Sequence, residues 1–227
     1  MLVSFVISYY SKDYQGEAYL AETIQACLNQ TYPETEVIIV DDNSVEHPDT
    51  IMKYFAGRYK NIQYHCMDKN HGNAVAARNK GTELAQGKII LPNDHDDPPI
   101  SIRAEETVKH FTEYPDTDCF HGGWNECNVW GQVMRSYAGR EMSLDIFKSG
   151  NFAWHHASSG LKKSILIEIP YREDIQKTDD YCLLEDWLNA GKIFRHTETV
   201  LGNQRRLPWG IMAQRRAMMG MPPNWAA

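Results

Sequence analysis

The stretch Lys88 to Pro98, which reads KIILPNDHDDP, combines the residue types that bind a cation and phosphates. A short apolar run ends in four polar residues, Asp94-His95-Asp96-Asp97. This pattern is typical of a buried strand whose carboxyl end projects side chains into a crevice, where ligands bind in open α/β sheets. In an extended segment Asp94 and Asp96 point to the same side, and the two carboxylates repel each other unless a cation lies between them. The stretch therefore predicts a site for Mg²⁺ or Mn²⁺ carrying substrate phosphates, and the alternative is a solvated acidic turn.

Polar residues also follow two other apolar runs. Ser8 and Tyr10 come after LVSFVI, and Asp42 comes after EVIIV. Short continuous runs rich in β-branched residues are typical of strands buried on both faces. Because the carboxyl ends of parallel strands face one crevice, we expect the three polar clusters to meet there.

A nucleotide would find suitable partners in that crevice. An Asp after the second strand can accept hydrogen bonds from a base or a ribose. A helix that begins near Gly72 and carries Arg78 can oppose phosphate charge. The alternatives are an ordinary turn at 42–44 and a normal helix entry at 72–73.

The elements that must position these residues alternate along the first half of the chain. We predict strands at Leu2 to Ile7, Glu36 to Val40, Ile62 to Cys66 and Lys88 to Leu91, with helices at Gly16 to Asn29, Asp49 to Tyr59 and from Asn73 to Gly87. This order with short connections predicts a largely parallel sheet with right-handed crossovers.

The second half has a weaker pattern. We predict helices at Ser101 to Tyr114, Ser143 to Lys148, Leu161 to Ile167 and Asp179 to Ala190, strands at Asp118 to Gly122, Asn128 to Arg135, Ile193 to Arg195 and Glu198 to Leu201, and an aromatic loop or strand at Gly150 to Gly160. No repeat, low-complexity tract or linker divides the chain, so we expect one α/β domain.

Composition excludes several classes of protein. With 227 residues and 42% hydrophobic residues the chain can build a core, and its net charge of −7 argues against nucleic acid as a partner. The five cysteines form no CxxC pair, which favours reduced thiols over a disulfide framework or a structural zinc site. The N-terminus lacks a basic region, and no window approaches the roughly 20 apolar residues that span a bilayer. We expect a cytoplasmic protein, at most peripheral to the membrane.

Three blocks, VSFVISYYS, LNQTYPETEVIIVDDNS and NHGNAVAARNKGTELAQGKIILPNDHDD, resemble in order and spacing the nucleotide-binding half of family 2 glycosyltransferases, which are inverting and have the GT-A fold. The resemblance is dense from Val3 to Asp97 and thinner afterwards. It implies a single GT-A domain over 1–227, with a nucleotide-sugar half at 1–98, an acceptor half at 99–203 and a tail at 204–227. It also implies a nucleoside-diphosphate sugar donor (UDP-sugar first), a hydroxyl acceptor that is a saccharide or lipid-linked, and Mn²⁺ or Mg²⁺, in polysaccharide or glycoconjugate synthesis.

The resemblance assigns roles in the nucleotide half by position. Ser8 and Tyr10 line the nucleotide pocket, Asp42 recognises the base, Arg78 contacts the nucleotide, and Asp94-His95-Asp96 is the DxD motif, in which Asp96 ligates the metal. Asn93 stands where relatives usually carry an apolar residue.

The catalytic base is implied by a second motif. The run TDDYCLL resembles the ED-Y motif of the family, which makes Asp180 the base and puts Asp179 in place of the usual Glu. Inversion needs a carboxylate that removes the proton of the acceptor hydroxyl as its oxygen attacks the anomeric carbon. The alternative for Asp180 is a favourable charge at a helix N-terminus.

Further roles are implied on the acceptor side. Trp154, His155 and His156, with Asp179, fall where relatives contact the acceptor or a phosphate, although paired histidines also serve as metal ligands or loop residues. Trp124 is either a similar platform for the acceptor or a core aromatic.

Two further segments are assigned at the end of the chain. Arg205 and Arg206 fall where a basic loop closes over the diphosphate, and the alternative is a solvated basic tail. For the segment Trp209 to Met221 three alternatives stay open. We expect it to contact an anionic membrane surface, its own domain or a second subunit of a homo-oligomer.

Two rival functions stay open from the sequence. A sugar-phosphate nucleotidyltransferase shares a similar sheet, but its first strand is normally followed by a Gly-rich loop with Arg or Lys, whereas this loop reads SYYSKDYQGE. A non-catalytic binding protein of the same fold is the second rival, and the presence of both Asp96 and Asp180 argues against it.

Overall fold

The computed structural model describes residues 1–12, 15–151, 153–174 and 179–208. The described residues form eight strands: β1 Val3–Tyr9, β2 Thr35–Asp41, β3 Ile62–Cys66, β4 Ile89–Asp94, β5 Cys119–Cys127, β6 Val133–Tyr137, β7 Ser159–Lys162 and β8 Phe194–Arg205. They also form seven α-helices: α1 Gln15–Leu28, α2 Asp49–Ala56, α3 Val75–Leu84, α4 Arg103–Glu113, α5 Leu144–Lys148, α6 Lys163–Glu168 and α7 Asp179–Asn189.

All eight strands belong to one sheet, in the order β3-β2-β1-β4-β7-β5-β6, with β8 paired to β5. The strands β3, β2, β1 and β4 run parallel and alternate along the chain with helices, as predicted. Strand β7 is antiparallel to both β4 and β5, and so joins the parallel half to the second half.

Two apolar cores lie on the two faces of this sheet. Successive strand residues point to opposite faces, so Val6 and Ile38 belong to the core that contains α3 and α7. Phe5 and Ile39 belong to the other core, which contains α1, α2 and α4. Burial on both faces explains why the parallel strands read as continuous apolar runs.

The central strand is longer than predicted. β4 continues through Asn93 and ends at Asp94, and a turn follows in which the amide of Asp97 donates to the carbonyl of Asp94 at 3.3 Å. Asp94 is therefore the last strand residue and Asp96 lies in the turn. The prediction that the two share one side of an extended segment is wrong, because the alternation ends with the strand.

The second half differs from the prediction in three further places. Residues 128–131, predicted as strand, form a hairpin turn in which the Asn128 side chain accepts from the amides of Trp130 and Gln132. Residues 161–162 are strand rather than helix, since Leu161 pairs with Ile90 and Cys119. The two short strands predicted near 193–201 are the single strand β8.

No α-helix within the described residues is long and apolar enough to cross a bilayer. The predicted surface or subunit contact of Trp209 to Met221 falls outside the described residues.

Candidate functional site

The carboxyl ends of β1, β2 and β4 meet as predicted. Ser8 stands in register with Val40 on one side and with Asp94 on the other. Its hydroxyl donates to Oδ1 of Asp94 at 3.3 Å. Tyr10 follows β1 directly and is half-exposed. The first and third polar clusters therefore share one end of the sheet.

Arg78 on α3 is bound to the first acid of the DxD motif. Its Nη2 donates to Oδ1 of Asp94 at 2.7 Å, and the arginine side chain is 7% exposed. Burial alone would raise the pKa of Asp94, but the charge and hydrogen bond of Arg78, together with the charges of His156 and His95, lower that pKa to about 2. The two opposite charges are therefore held together at the open end of the crevice.

The following two acids show the opposite behaviour. Burial raises the pKa of Asp96, and the charge of Asp94 adds to this while His95 opposes it. Burial and the charges of Asp96 and Asp94 raise the pKa of Asp97 well above its usual range, although its Oδ1 accepts from the amide of Arg205 at 2.6 Å. The carboxylates of this turn thus repel one another, as the sequence predicted, and an oxygen-seeking cation would relieve that repulsion.

Asn93 and Arg103 form the floor of the turn, and sequence reasoning missed both roles. Asn93 is 1% exposed and its amide donates to the carbonyls of Asp94 and Asp97 at 2.8 and 2.7 Å. Arg103 is fully buried and donates to Oδ1 of Asn93 at 2.8 Å. The sequence did contain a signal for these roles. Asn93 stands in a position that is usually apolar, and Arg103 follows ten residues later in a predicted helix.

Asp42 is buried and already engaged by the loop that precedes α3. Its carboxylate accepts from Nδ2 of Asn70 at 3.0 Å and from the amide of His71 at 2.9 Å, and it contacts Nδ1 of His71 at 2.6 Å. The Asp42 carboxylate therefore anchors residues 70–71 to the end of β2. Base recognition by Asp42 stays a prediction, and a base would have to share this carboxylate with them.

His155 and His156 lie beside the Asp94–Arg78 pair. His156 contacts the hydroxyl of Tyr171 through Nε2 at 2.6 Å, and its charge would lower the pKa of Asp94. Burial and the charge of Arg103 lower the pKa of His155 to about 3, and burial and Arg78 hold the pKa of His156 well below its usual range. Both rings are thus neutral near pH 7.

The two tryptophans differ in exposure. Trp154 is 2% exposed and packs in the core with α7, so its ring offers no face to a sugar in this conformation. Trp124 is half-buried and stacks on Tyr137 and His155 at centroid distances of 4.8 and 5.0 Å. Acceptor contact by Trp154 stays a prediction that this conformation does not favour.

Asp180 lies in the first turn of α7. Leu184 and Trp187 anchor this helix in the same core as Val75 and Ala77 of α3, so Asp180 is carried on the face of the sheet that bears Arg78. Its Oδ1 accepts from the amide of Tyr181 at 2.9 Å. The side chain of Asp179 is outside the described part of the chain.

Arg205 and Arg206 are paired with glutamates. Nη2 of Arg205, the last residue of β8, donates to Oε2 of Glu22 at 2.7 Å, and Nε of Arg206 donates to Oε1 of Glu126 at 2.6 Å. Neither residue is a solvated basic tail. Contact of these two arginines with a diphosphate stays a prediction. It would require each arginine to exchange its glutamate partner for a phosphate oxygen.

A second group of possible metal ligands lies away from the DxD turn. Among the described residues, Asp41, His47 and Cys66 have ligand atoms within 4.8 Å of one another. They sit at the ends of β2 and β3, where Asp41 is in register with Cys66.

The fold is that of the GT-A glycosyltransferases. S. aureus TarS residues 1–349 in complex with UDP-GlcNAc matches 94% of this chain and 61% of its own with a TM-score of 0.74 at 19% identity. The mannosyltransferase PcManGT from Pyrobaculum calidifontis in complex with GDP-Man and Mn²⁺ matches 94% of this chain and 59% of its own with a TM-score of 0.70 at 16% identity. At such identities the likeness concerns the fold alone.

The family follows from the sequence comparison. The model of Glycosyl transferase family 2 matches residues 4–167, and the chain belongs to that family. An uncharacterized glycosyltransferase of Methanocaldococcus jannaschii is 28% identical over 195 residues, covering 82% of this chain and 66% of the relative. The putative teichuronic acid biosynthesis glycosyltransferase TuaG of Bacillus subtilis is 34% identical over 108 residues, covering 48% and 42%. The chain thus spans less than two thirds of the length of these relatives.

Proposed function

We propose that this chain transfers a sugar from a nucleoside-diphosphate sugar to a hydroxyl acceptor, with inversion at the anomeric carbon. The observation that carries the proposal is the ion pair between buried Arg78 and partly exposed Asp94, beside Ser8 and the Asp96 turn, at the carboxyl ends of parallel strands. A diphosphate needs positive charge and hydrogen-bond donors, and Arg78 and Ser8 supply both kinds of group there. The family supports the reaction class.

A divalent cation fits the donor set of the turn. Asp96 offers a hard carboxylate oxygen, and its raised pKa reflects burial and repulsion by Asp94 that a cation would relieve. We infer that Asp96 holds Mn²⁺ or Mg²⁺, while Asp94 keeps Arg78 in place. When bound, the cation stabilises negative charge on the departing diphosphate. The Mn²⁺ in the PcManGT complex supports a metal of this kind.

The proton of the acceptor goes to Asp180 in this proposal. His155 and His156 are poor candidates for the base, because burial lowers their pKa values and so weakens their ability to take up a proton. Asp180, half-buried at the start of α7, is the carboxylate that the family motif designates. It would accept the proton as the hydroxyl oxygen attacks the face opposite the diphosphate.

The acceptor and the pathway are proposed more broadly. A relative named for teichuronic acid biosynthesis supports a role in polysaccharide or glycoconjugate synthesis. We propose that a UDP-sugar is the donor and that the reaction takes place in the cytoplasm, at the inner face of the membrane if the acceptor is lipid-linked.

Nucleotide binding is the first test. Calorimetric titration with UDP, GDP, dTDP and CDP, with and without Mn²⁺, should give metal-dependent binding of one nucleotide. Asp96→Ala should weaken that binding at least about tenfold, because the metal loses its carboxylate ligand. Asp145→Ala, which removes an exposed acid in the first turn of α5, is the control and should bind like wild type. Folded protein that binds none of the four would contradict the proposal and favour a scaffolding role.

Turnover tests the base separately. With the donor that binds, Asp180→Asn should lower kcat about 10²- to 10⁴-fold while nucleotide affinity stays within about twofold, since only proton transfer is removed. The control is Asp186→Asn, at a position on the same helix as Asp180. It removes a surface ion pair between Asp186 and Arg172 and should keep wild-type turnover. Normal transfer by Asp180→Asn would exclude this residue as the base.

A further inference from the structure

Asp41, His47 and Cys66 bring three different metal-ligating groups together at the carboxyl ends of β2 and β3 and in the connection after β2. Nδ1 of His47 lies 2.9 Å from Oδ2 of Asp41 and 3.9 Å from Sγ of Cys66. Tetrahedral zinc with Zn–S near 2.3 Å and Zn–N near 2.0 Å needs separations of about 3.3 to 3.6 Å between ligand atoms. Changes of about 0.4 Å would bring these two separations to the spacing of a zinc site. The ligand atoms of Asp41 and Cys66 lie within 4.8 Å of each other and would also have to approach.

The carboxylate of Asp41 is held in place by hydrogen bonds from neighbouring residues. Oδ1 of Asp41 accepts from the amide and the hydroxyl of Ser44 at 2.8 and 2.6 Å, and Oδ2 accepts from the hydroxyl of Tyr64 at 2.8 Å. Asp41 is fully buried, so its position is fixed by these bonds. Hydrogen bonds of this kind orient the ligands of protein metal sites.

The other two ligands are open to solvent. The His47 side chain is 41% exposed and Cys66 is exposed, so an ion can reach the cluster from solution. Asn43, at a φ of 53°, lies with its Oδ1 4.0 Å from the Cys66 sulfur, on the same side of the cluster. Water or this amide oxygen can complete a tetrahedron.

The chemistry of the ligands selects a soft cation. A thiolate, an imidazole and one carboxylate suit Zn²⁺ and disfavour Mg²⁺, which prefers oxygen ligands. The cluster is also separate from the DxD turn, since even β2, which carries Asp41, is two strand spacings from β4, about 10 Å.

We propose that Asp41, His47 and Cys66 form a zinc site that ties the β2–α2 connection to the end of β3. It is independent of the metal proposed for the diphosphate. Its ligand is Zn²⁺, and its effect is to hold His47, in the connection, against Cys66 on the neighbouring strand. The sequence had argued against structural zinc because no CxxC pair is present; here the ligands come from three separate segments.

Zinc binding by the whole chain tests the proposal. Calorimetry with Zn²⁺ alone should give one ion per chain, and Zn²⁺ should raise the Tm. Co²⁺ in its place should show a sulfur-to-cobalt charge-transfer band. Cys66→Ser should abolish the band and weaken Zn²⁺ at least tenfold, and His47→Gln should weaken it likewise, because each removes one of three protein ligands.

Two controls separate this site from other zinc binding. Cys182→Ser removes a different partly exposed thiol, and Asp96→Ala removes the other proposed metal ligand; both should retain Zn²⁺ binding and the Co²⁺ band. Unchanged Zn²⁺ binding by folded Cys66→Ser, or no uptake by wild type, would overturn the proposal. Neither outcome depends on glycosyl transfer, so the zinc site and the proposed function can fail separately.

Discussion

Arg103 is a buried cation whose partners in the turn floor are neutral oxygens. It donates to Oδ1 of Asn93 and to the carbonyls of Pro92 and Ser159 at 2.8, 2.9 and 2.7 Å. Burial lowers its pKa to about 9. Through Asn93 it fixes the backbone that presents Asp94 and Asp97, so a residue remote from any ligand sets the shape of the acidic turn.

We predict that Arg103→Met destabilises the protein by at least about 3 kcal/mol, because three buried oxygens lose their donor at about 1–3 kcal/mol each. Metal-dependent nucleotide binding should weaken as well, since the turn loses its floor. Urea unfolding and calorimetry measure the two effects.

The matched control is Arg195→Met. Arg195 forms an exposed ion pair with Asp116 at 2.9 Å, and solvent screening makes the contribution of such a pair to stability small. Equal destabilisation by the two substitutions would contradict the role given to Arg103.

Helix α3 approaches β1 closely at Gly81. A Cβ added at Gly81 would lie 2.3 Å from Cγ1 of Val6. The helix can therefore approach the strand this closely only because residue 81 has no side chain. Arg78 is one turn earlier on the same helix, and its reach to Asp94 depends on this distance. The glycine in the predicted helix therefore has a packing reason that periodicity alone does not reveal.

We predict that Gly81→Ala destabilises the protein by about 1–2 kcal/mol, because overpacking at β1 exceeds the helix propensity gained. It should also weaken nucleotide binding by moving Arg78 away from Asp94. Urea unfolding and calorimetry measure both.

A double-mutant cycle identifies the cause. Val6→Ala makes room for the new methyl group, so the double variant should be more stable than the sum of the single changes, by at least about 0.5 kcal/mol. Additive effects would show that the Gly81–Val6 contact is not the source.

At the scale of the molecule, buried histidines set the response to acid. Burial, with the charges of His196 and His155, lowers the pKa of His121 to about 3, and burial and Arg103 lower that of His155 to about 3. A lowered histidine pKa means that the unfolded chain binds the proton more readily than the folded one. Stability from these groups is therefore complete above the unfolded pKa near 6.5 and declines as the pH falls towards 3. The raised pKa values of Asp96 and Asp97 act in the opposite direction.

We predict that His121→Gln flattens the dependence of unfolding free energy on pH by about 1.4 kcal/mol per pH unit between about pH 4 and pH 6. The difference between the two proteins isolates His121, because the acidic groups are common to both. Urea unfolding at several pH values gives both slopes, and parallel curves would contradict a neutral buried His121.

The first half of the fold was predictable from the amino-acid sequence. The runs at 2–7, 36–40 and 89–91 are apolar except at Ser4 and Glu36, and helices of 3.6-residue period separate them. A parallel sheet buried on both faces was therefore predictable from local pattern. The acidic residues that follow these strands were also predictable as neighbours, because parallel strands align their carboxyl ends.

The partners of those side chains were not predictable, because they depend on how separate segments pack. Asp94 binds Arg78, Asp42 binds His71, Asp41 joins His47 and Cys66, and Trp154 is buried. Each contact joins segments that are distant in the chain or depends on where a strand stops, as at Asp94. Periodicity reports which face a residue occupies, but hydrogen bonds and ion pairs depend on distances of a few tenths of an ångström between separate elements. Those distances are fixed by packing, as by Gly81 against Val6, and no local pattern contains them.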